Sequence, residues 1–126
     1  MLTHKLLEIK KYLKKNLKKG FISSSSTLFA FLVLFVAKPN EELRFCVDYR
    51  KLNVLTCRNR YSISLIKKTL ARVMDCKYLI KLNIIVAFNR LRMHLNSENY
   101  ITFVISIRVY KYHVLLFDLI NELASY

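Results

Sequence analysis

The side chains able to do chemistry in this chain are few, and their spacing excludes more than it supports. Among its eight carboxylates, Glu41, Glu42, Asp48, Asp75 and Asp118 contain no pair set apart like a catalytic dyad. His4, His94 and His113 fall in three separate segments, and no cysteine or serine stands where the sequence would make a triad or a metal set with them. Cys46, Cys57 and Cys76 are an odd number at wide, unequal spacings, which fits neither a zinc pattern nor a disulfide framework. They read as reduced, mostly buried thiols of an intracellular protein, cytoplasmic or nuclear and not secreted. What remains is cationic: 22 lysines and arginines against 8 acids give a net charge of +14. Such a field attracts polyanions, nucleic acid first and an anionic membrane surface equally well on charge alone.

At 126 residues the chain is one domain at most, enough for a core. Residues 5 to 19 set Leu6, Ile9, Leu13 and Leu17 at helical spacing among seven lysines in the first twenty positions, and Gly20 is placed to end the helix. The lysines are either a solvated face or a contact for nucleic acid or lipid. Thr27 to Ala37 is the most apolar run. It is too short to cross about 30 Å of hydrocarbon, and extending it backward takes in four serines, so a buried strand is expected rather than a membrane anchor over residues 21–37. No cleavable signal peptide fits, because lysines run to residue 19 with no small-residue cleavage site after them.

Further along, Leu43, Phe45 and Val47 alternate with Arg44, Cys46 and Asp48, as a half-buried strand requires. Ser62 or Ser64 can cap a helix from about Leu65 to Met74 with Ile66, Leu70, Val73 and Met74 on one face. Tyr78 to Asn83 reads as a strand, and Leu91 to Leu95 alternates again. Asn96 to Asn99 supplies a turn, and Tyr100–Ile107 and Tyr110–Leu116 complete an antiparallel meander. A single glycine and a single proline leave these turns without their usual residues, a warning about foldability.

The run Leu43-Arg44-Phe45-Cys46-Val47-Asp48-Tyr49-Arg50-Lys51-Leu52-Asn53 resembles the fingers motif LRFCVDYRALN of reverse transcriptases, in particular those of gypsy-class long-terminal-repeat retrotransposon Pol polyproteins. Gly20-Phe21-Ile22 with its serine run is similar to the family's KGFI-SSS opening. Val33 to Val36 resembles its VLFV strand, Asn59-Arg60-Tyr61 its NRYPLP, and Lys77 to Asn83 its KYFTKLD. The likeness runs without a gap from about Lys11 to the end of the sequence. It implies an α+β fold, the fingers and part of the palm of a reverse-transcriptase domain, with short helices and antiparallel strands. Residues 1–20 would be a basic amphipathic helix, 21–76 the fingers-like part and 77–126 a partial palm.

The same likeness implies a chemistry and its loss. Family members add deoxynucleotides to a primer by in-line phosphoryl transfer, with two Mg²⁺ ions about 4 Å apart held by three aspartates. One of these ends the KLD strand, where this chain has Asn83, and two lie in a Y-x-D-D turn that this sequence does not contain. An amide carries no charge to hold a hard cation, so Mg²⁺ is expected of the family and not of this chain. The nucleotide-facing positions fare better. Arg44 matches the arginine that contacts the incoming triphosphate, a task for a permanently charged, bidentate donor. Lys38 lies near the fingers lysine, Phe88 where an aromatic blocks the ribose 2′-hydroxyl, and Phe117 at the aromatic of the MPFG loop on which base and template pack. Several of the family's glycines and prolines are replaced here, by Arg108, Leu116 and Asp118 among others. The implied function is therefore that of a degenerate reverse-transcriptase fragment, with dNTP and template-primer as the family's partners. Its rivals are a relic that binds nucleic acid without specificity, and a small basic membrane protein anchored through residues 21–37.

Overall fold

The computed structural model describes residues 2–40, 42–60, 62 and 65–121. Helix α1 (Leu2–Lys18) ends as its sequence predicts. Gly20 takes φ 69°, and the N–H groups of Gly20 and Phe21 donate to the carbonyls of Leu17 (3.1 Å) and Asn16 (3.0 Å). That pattern satisfies carbonyls a helix end otherwise leaves orphaned. It turns the chain sharply into β1 (Ile22–Ser24), and β2 (Phe31–Ala37), β3 (Leu43–Val47), β4 (Thr102–Ile105) and β5 (Arg108–Tyr112) complete one sheet in the order β1-β5-β4-β2-β3. Three of the four pairings are antiparallel. The fourth, β2 with β4, is parallel, because the chain returns to it through the long excursion of residues 38–101 rather than through a hairpin.

One face of the sheet carries the core. Phe103 is fully buried, its ring 4.9 Å from that of Tyr112, 5.6 Å from Tyr110 and 5.7 Å from Phe45. Helix α1 closes this face. Tyr12 stacks on Phe45 with ring centroids 4.0 Å apart, and its hydroxyl bonds that of Tyr112 at 2.7 Å. Ile22, Val47, Tyr49 and Ile101 fill the rest. Each large apolar side chain buried in this way stabilises the fold by roughly 1.5–3 kcal/mol relative to exposure.

Several expectations need correction. The apolar run at 27–37 forms a strand only from Phe31, and it is buried on one face: Leu32, Leu34 and Val36 stand exposed on the other. No helix of the described residues is long and apolar enough to cross a membrane, and residues 22–24 and 31–37 of the supposed anchor are strands. Tyr78 to Asn83 is not a strand. It lies exposed with no ladder partner among the described residues, and β-propensity without a neighbouring strand builds nothing. Leu91 to Leu95 makes a single bridge, Arg92 with Val114, and the turn at 96–99 is a 3-10 helix, Leu95–Tyr100.

Strand β4 is shorter than predicted, and β5 starts at Arg108 and stops at Tyr112. Helix α3 (Ile66–Met74) begins behind Leu65 with no side-chain cap. Ser62 does not serve, and Ser64 lies outside the described residues. Its apolar face is not covered either, since Ile66, Leu70 and Met74 are all exposed. Helix α2 (Arg50–Leu55) was not expected at all.

Candidate functional site

Strand alternation sends Phe45 and Val47 into the core and leaves Arg44 outside. From there its guanidinium carbon reaches 5.8 Å from the ring centroid of Phe117, within cation–π range. Phe88, on the 3-10 turn Phe88–Arg90, meets the same ring edge-on at 5.9 Å and 62°. Three of the four nucleotide-facing candidates therefore converge, although 73 positions of sequence separate Arg44 from Phe117. Arg44 and Phe117 line a pocket of about 260 Å³, shared with Tyr12, Cys46, Asn89 and Asp118.

Helix α2 fixes the far wall. The Nδ2 of Asn53 donates to the Asp118 carbonyl (2.9 Å), and its Oδ1 accepts from the Ile120 N–H (3.0 Å), so one side chain grips both ends of the turn that follows Phe117. Asn121 answers from the other side: its Nδ2 donates to the Cys57 carbonyl and its Oδ1 accepts from the Asn59 N–H, both at 2.9 Å. Neither asparagine was singled out from the sequence. The available signal was Asn53 itself, the last residue of the run from Leu43, which has no partner within its own helix to justify an amide.

The remaining candidates lie elsewhere. Lys38 is held by Glu42, Nζ to Oε2 at 2.8 Å, in a polar hollow with His4, Glu8 and Lys11. That bond keeps the Glu42 carboxyl below its ordinary range. Asn83 is exposed and is not among the residues lining the Arg44–Phe117 pocket. Asp48, two residues before the start of α2, takes both Nε and Nη2 of Arg50 at 2.8 and 2.7 Å, which lowers its carboxyl to about 2 and commits it to structure. Burial, and then the charge of Asp118, raises the Cys46 thiol. Burial likewise raises the phenols of Tyr12, Tyr49 and Tyr112.

The histidine reading also changes. The structure brings Glu98 and Ser23 to either side of His113, Nδ1 to Glu98 Oε2 at 2.7 Å and Nε2 to Ser23 Oγ at 2.8 Å. Separations of 15 and 90 residues hid this array from the sequence. It joins β1, the residue after β5 and the 3-10 helix under cover, with the Glu98 side chain 5% exposed, and its residues line neither of the pockets described above. Arg92 stands 3.8 Å from the second Glu98 oxygen. Its chemistry is that of a polar clamp between three elements.

No protein-family model matches the chain. Over 103 residues, 82% of its length, it is 31% identical to the Transposon Tf2-3 and Tf2-4 polyproteins of Schizosaccharomyces pombe, and it spans 8% of their length. Its fold matches the foamy viral protease-reverse transcriptase solved in complex with dsDNA, with TM-scores of 0.76 and 0.75 in two structures. These cover 93% of this chain and 21% and 25% of theirs, at 16% identity. The native prototype foamy virus enzyme matches with a TM-score of 0.64 at 19% identity over 87% of the chain, 15% of the enzyme's own.

Proposed function

We propose, from the premise that this chain belongs with the reverse-transcriptase segments of retrotransposon polyproteins, that its described residues are the nucleotide-receiving part of a template-directed DNA polymerase domain. The observation that carries this reading is the convergence of Arg44 and Phe88 on the ring of Phe117. In this reading Arg44 grips the phosphates of an incoming deoxynucleotide, held off the protein surface by its stack on Phe117. The Phe117 ring offers a platform for base and template, and Phe88, edge-on to it, crowds the ribose where a 2′-hydroxyl would sit. Lys38 joins only if a phosphate displaces Glu42. Residues 21–76 correspond to fingers and 77–126 to part of the palm.

The donor set does not fit the metal pair that the family's reaction needs. Position 83 offers an amide, and among the described residues no three of His, Cys, Asp and Glu are grouped to hold an ion. On this reading, residues 1–126 tested by themselves should carry out no nucleotidyl transfer. Primer extension on an RNA template with Mg²⁺ or Mn²⁺ should give no templated incorporation, for the unchanged chain and for Asn83→Asp alike, since one restored carboxylate leaves two metals unheld. Incorporation above background in either would mean that the residues present do hold the metals, and it overturns this expectation.

A second reading, unspecific binding of nucleic acid, rests on α1. Lys10, Lys14, Lys15 and Lys18 are exposed and have no ion-pair partner among the described residues, and the one acid of the helix, Glu8, is taken by Lys11 at 2.9 Å. Affinity for single-stranded DNA should fall steeply between low and physiological salt. Absence of binding even at low salt removes this reading.

A further inference from the structure

We infer that Asp118 sets the charge preference of the Arg44–Phe117 pocket, so that it takes a nucleoside or a nucleoside monophosphate as well as it takes a triphosphate. The inference rests on the proposed role of this pocket and adds to it the identity of the species bound.

Arg44 and Asp118 line the same pocket, one on β3 and the other on the turn after Phe117. Neither makes an ion pair with any described residue, so the two charges stand apart and both act on whatever enters. The backbone that carries the carboxylate is held. Asn53 grips the chain on both sides of Leu119, which fixes the backbone of Asp118 against α2. Its field also crosses the cavity, for it helps raise Cys46 and the phenols of Tyr12, Tyr49 and Tyr112. At about 260 Å³ the pocket is small beside ordinary ligand sites of 300 Å³ or more.

A guanidinium alone would reward each added phosphate. A guanidinium that shares its pocket with a carboxylate loses that reward, because the attraction and the repulsion, each worth about 1 kcal/mol per charge pair near 4 Å in water, oppose. The aromatic wall then supplies what affinity there is, and it acts on the base and sugar common to all three species.

Equilibrium dialysis of the purified 126-residue chain tests this with a labelled deoxynucleoside, its 5′-monophosphate and its 5′-triphosphate. Metal-free buffer at physiological salt screens the lysines of α1. The unchanged chain should bind the three within about threefold of one another. Asp118→Asn, which keeps the shape, and Asp118→Gly, which removes the side chain, should each tighten the triphosphate by about tenfold and leave the nucleoside unchanged. Arg44→Gln reads the pocket itself and should weaken both phosphorylated species. If Arg44→Gln weakens them while neither Asp118 variant moves the triphosphate, the role of Asp118 is refuted and the pocket assignment stands. If Arg44→Gln changes nothing, nucleotides do not enter here, and both the assignment and this inference fall.

Discussion

Residues 102–112 and residues 78–86 are alike on paper. Thr-Phe-Val-Ile-Ser-Ile-Arg-Val-Tyr-Lys-Tyr and Tyr-Leu-Ile-Lys-Leu-Asn-Ile-Ile-Val are both rich in β-branched and aromatic residues interrupted by a few polar ones. The first makes β4 and β5 and supplies Thr102, Phe103, Tyr110 and Tyr112 to the buried centre. The second forms no ladder, and Tyr78, Ile80 and Leu82 are each more than four-fifths exposed. Composition does not separate them; neighbours do. β4 lies between β2 and β5, with Phe31 and Tyr110 directly opposite Phe103, and the pairing sets a face that α1 can cover. Nothing among the described residues pairs with 78–86. A strand is a relation between two segments, and one of them cannot declare it alone.

The contrast is measurable as stability. Phe103→Ala removes a fully buried ring that meets Phe45, Tyr110 and Tyr112 and should cost about 3–5 kcal/mol, much of the stability of a domain this size. Ile80→Ala, at a site 85% exposed, should cost under about 0.5 kcal/mol. Urea unfolding of both variants checks this. Equal losses would mean that the 78–86 run is packed after all, and that the difference drawn between the two segments is false.

Alkaline titration asks the same question without a mutation. Tyr12, Tyr49 and Tyr112 pack in or against the core, and burial, which penalises the phenolate, raises all three. In the folded chain they keep their protons above the pH at which an unfolded tyrosine loses its own, about 10. Their contribution to stability is whole below that pH and is lost as pH rises beyond it, because only the unfolded state can ionise. Phenolate absorbance from these three should therefore appear together with loss of the sheet's circular dichroism. Absorbance from all eight tyrosines that is complete before any loss of structure would show the core to be open to water.

What the sequence made legible follows the same line. Local devices could be read directly: the lysine helix and its Gly20 ending, and the alternation of Leu43 to Val47 that leaves Arg44 outside. Phe88 and Phe117 were named only through the family likeness, and the contacts that join Phe117 to Arg44 and to Phe88 emerged only in the structure. Features that depend on partners far along the chain were not legible. The parallel pairing of β2 with β4, the clamp of Glu98, His113 and Ser23, and the two asparagines that tie α2 and the segment after it to the turn at 118–121 each join residues that no local pattern connects. The strand expected at 78–83 failed for the same reason, since its local pattern was sound and its partner was missing.

The finest test lies in two backbone positions. Ser106 and Val86 are the non-glycine residues with positive φ among those described, at 54° and 53°. Ser106 opens the two-residue turn between Ile105 and Arg108, a place where hairpins ordinarily use glycine. The likeness counted Arg108, two residues further on, among the positions where the family has glycine or proline, whereas the geometry asks for glycine at 106. Ser106→Gly should raise stability by about 0.5–1 kcal/mol, the relief of a left-handed side chain less glycine's own entropy. Val86 is β-branched, so on conformation alone it is the more strained of the two, and Val86→Gly would be the better substitution. Strain persists only where the surroundings force it. The hairpin at 106 is forced by the β4–β5 ladder, while the chain before Val86 is held by little more than a 3.3 Å bond from Arg90 Nε to the Ile85 carbonyl. Val86→Gly should therefore gain less than Ser106→Gly, under about 0.3 kcal/mol. A larger gain at 86 than at 106 in thermal unfolding would show that the exposed run is gripped as firmly as the sheet.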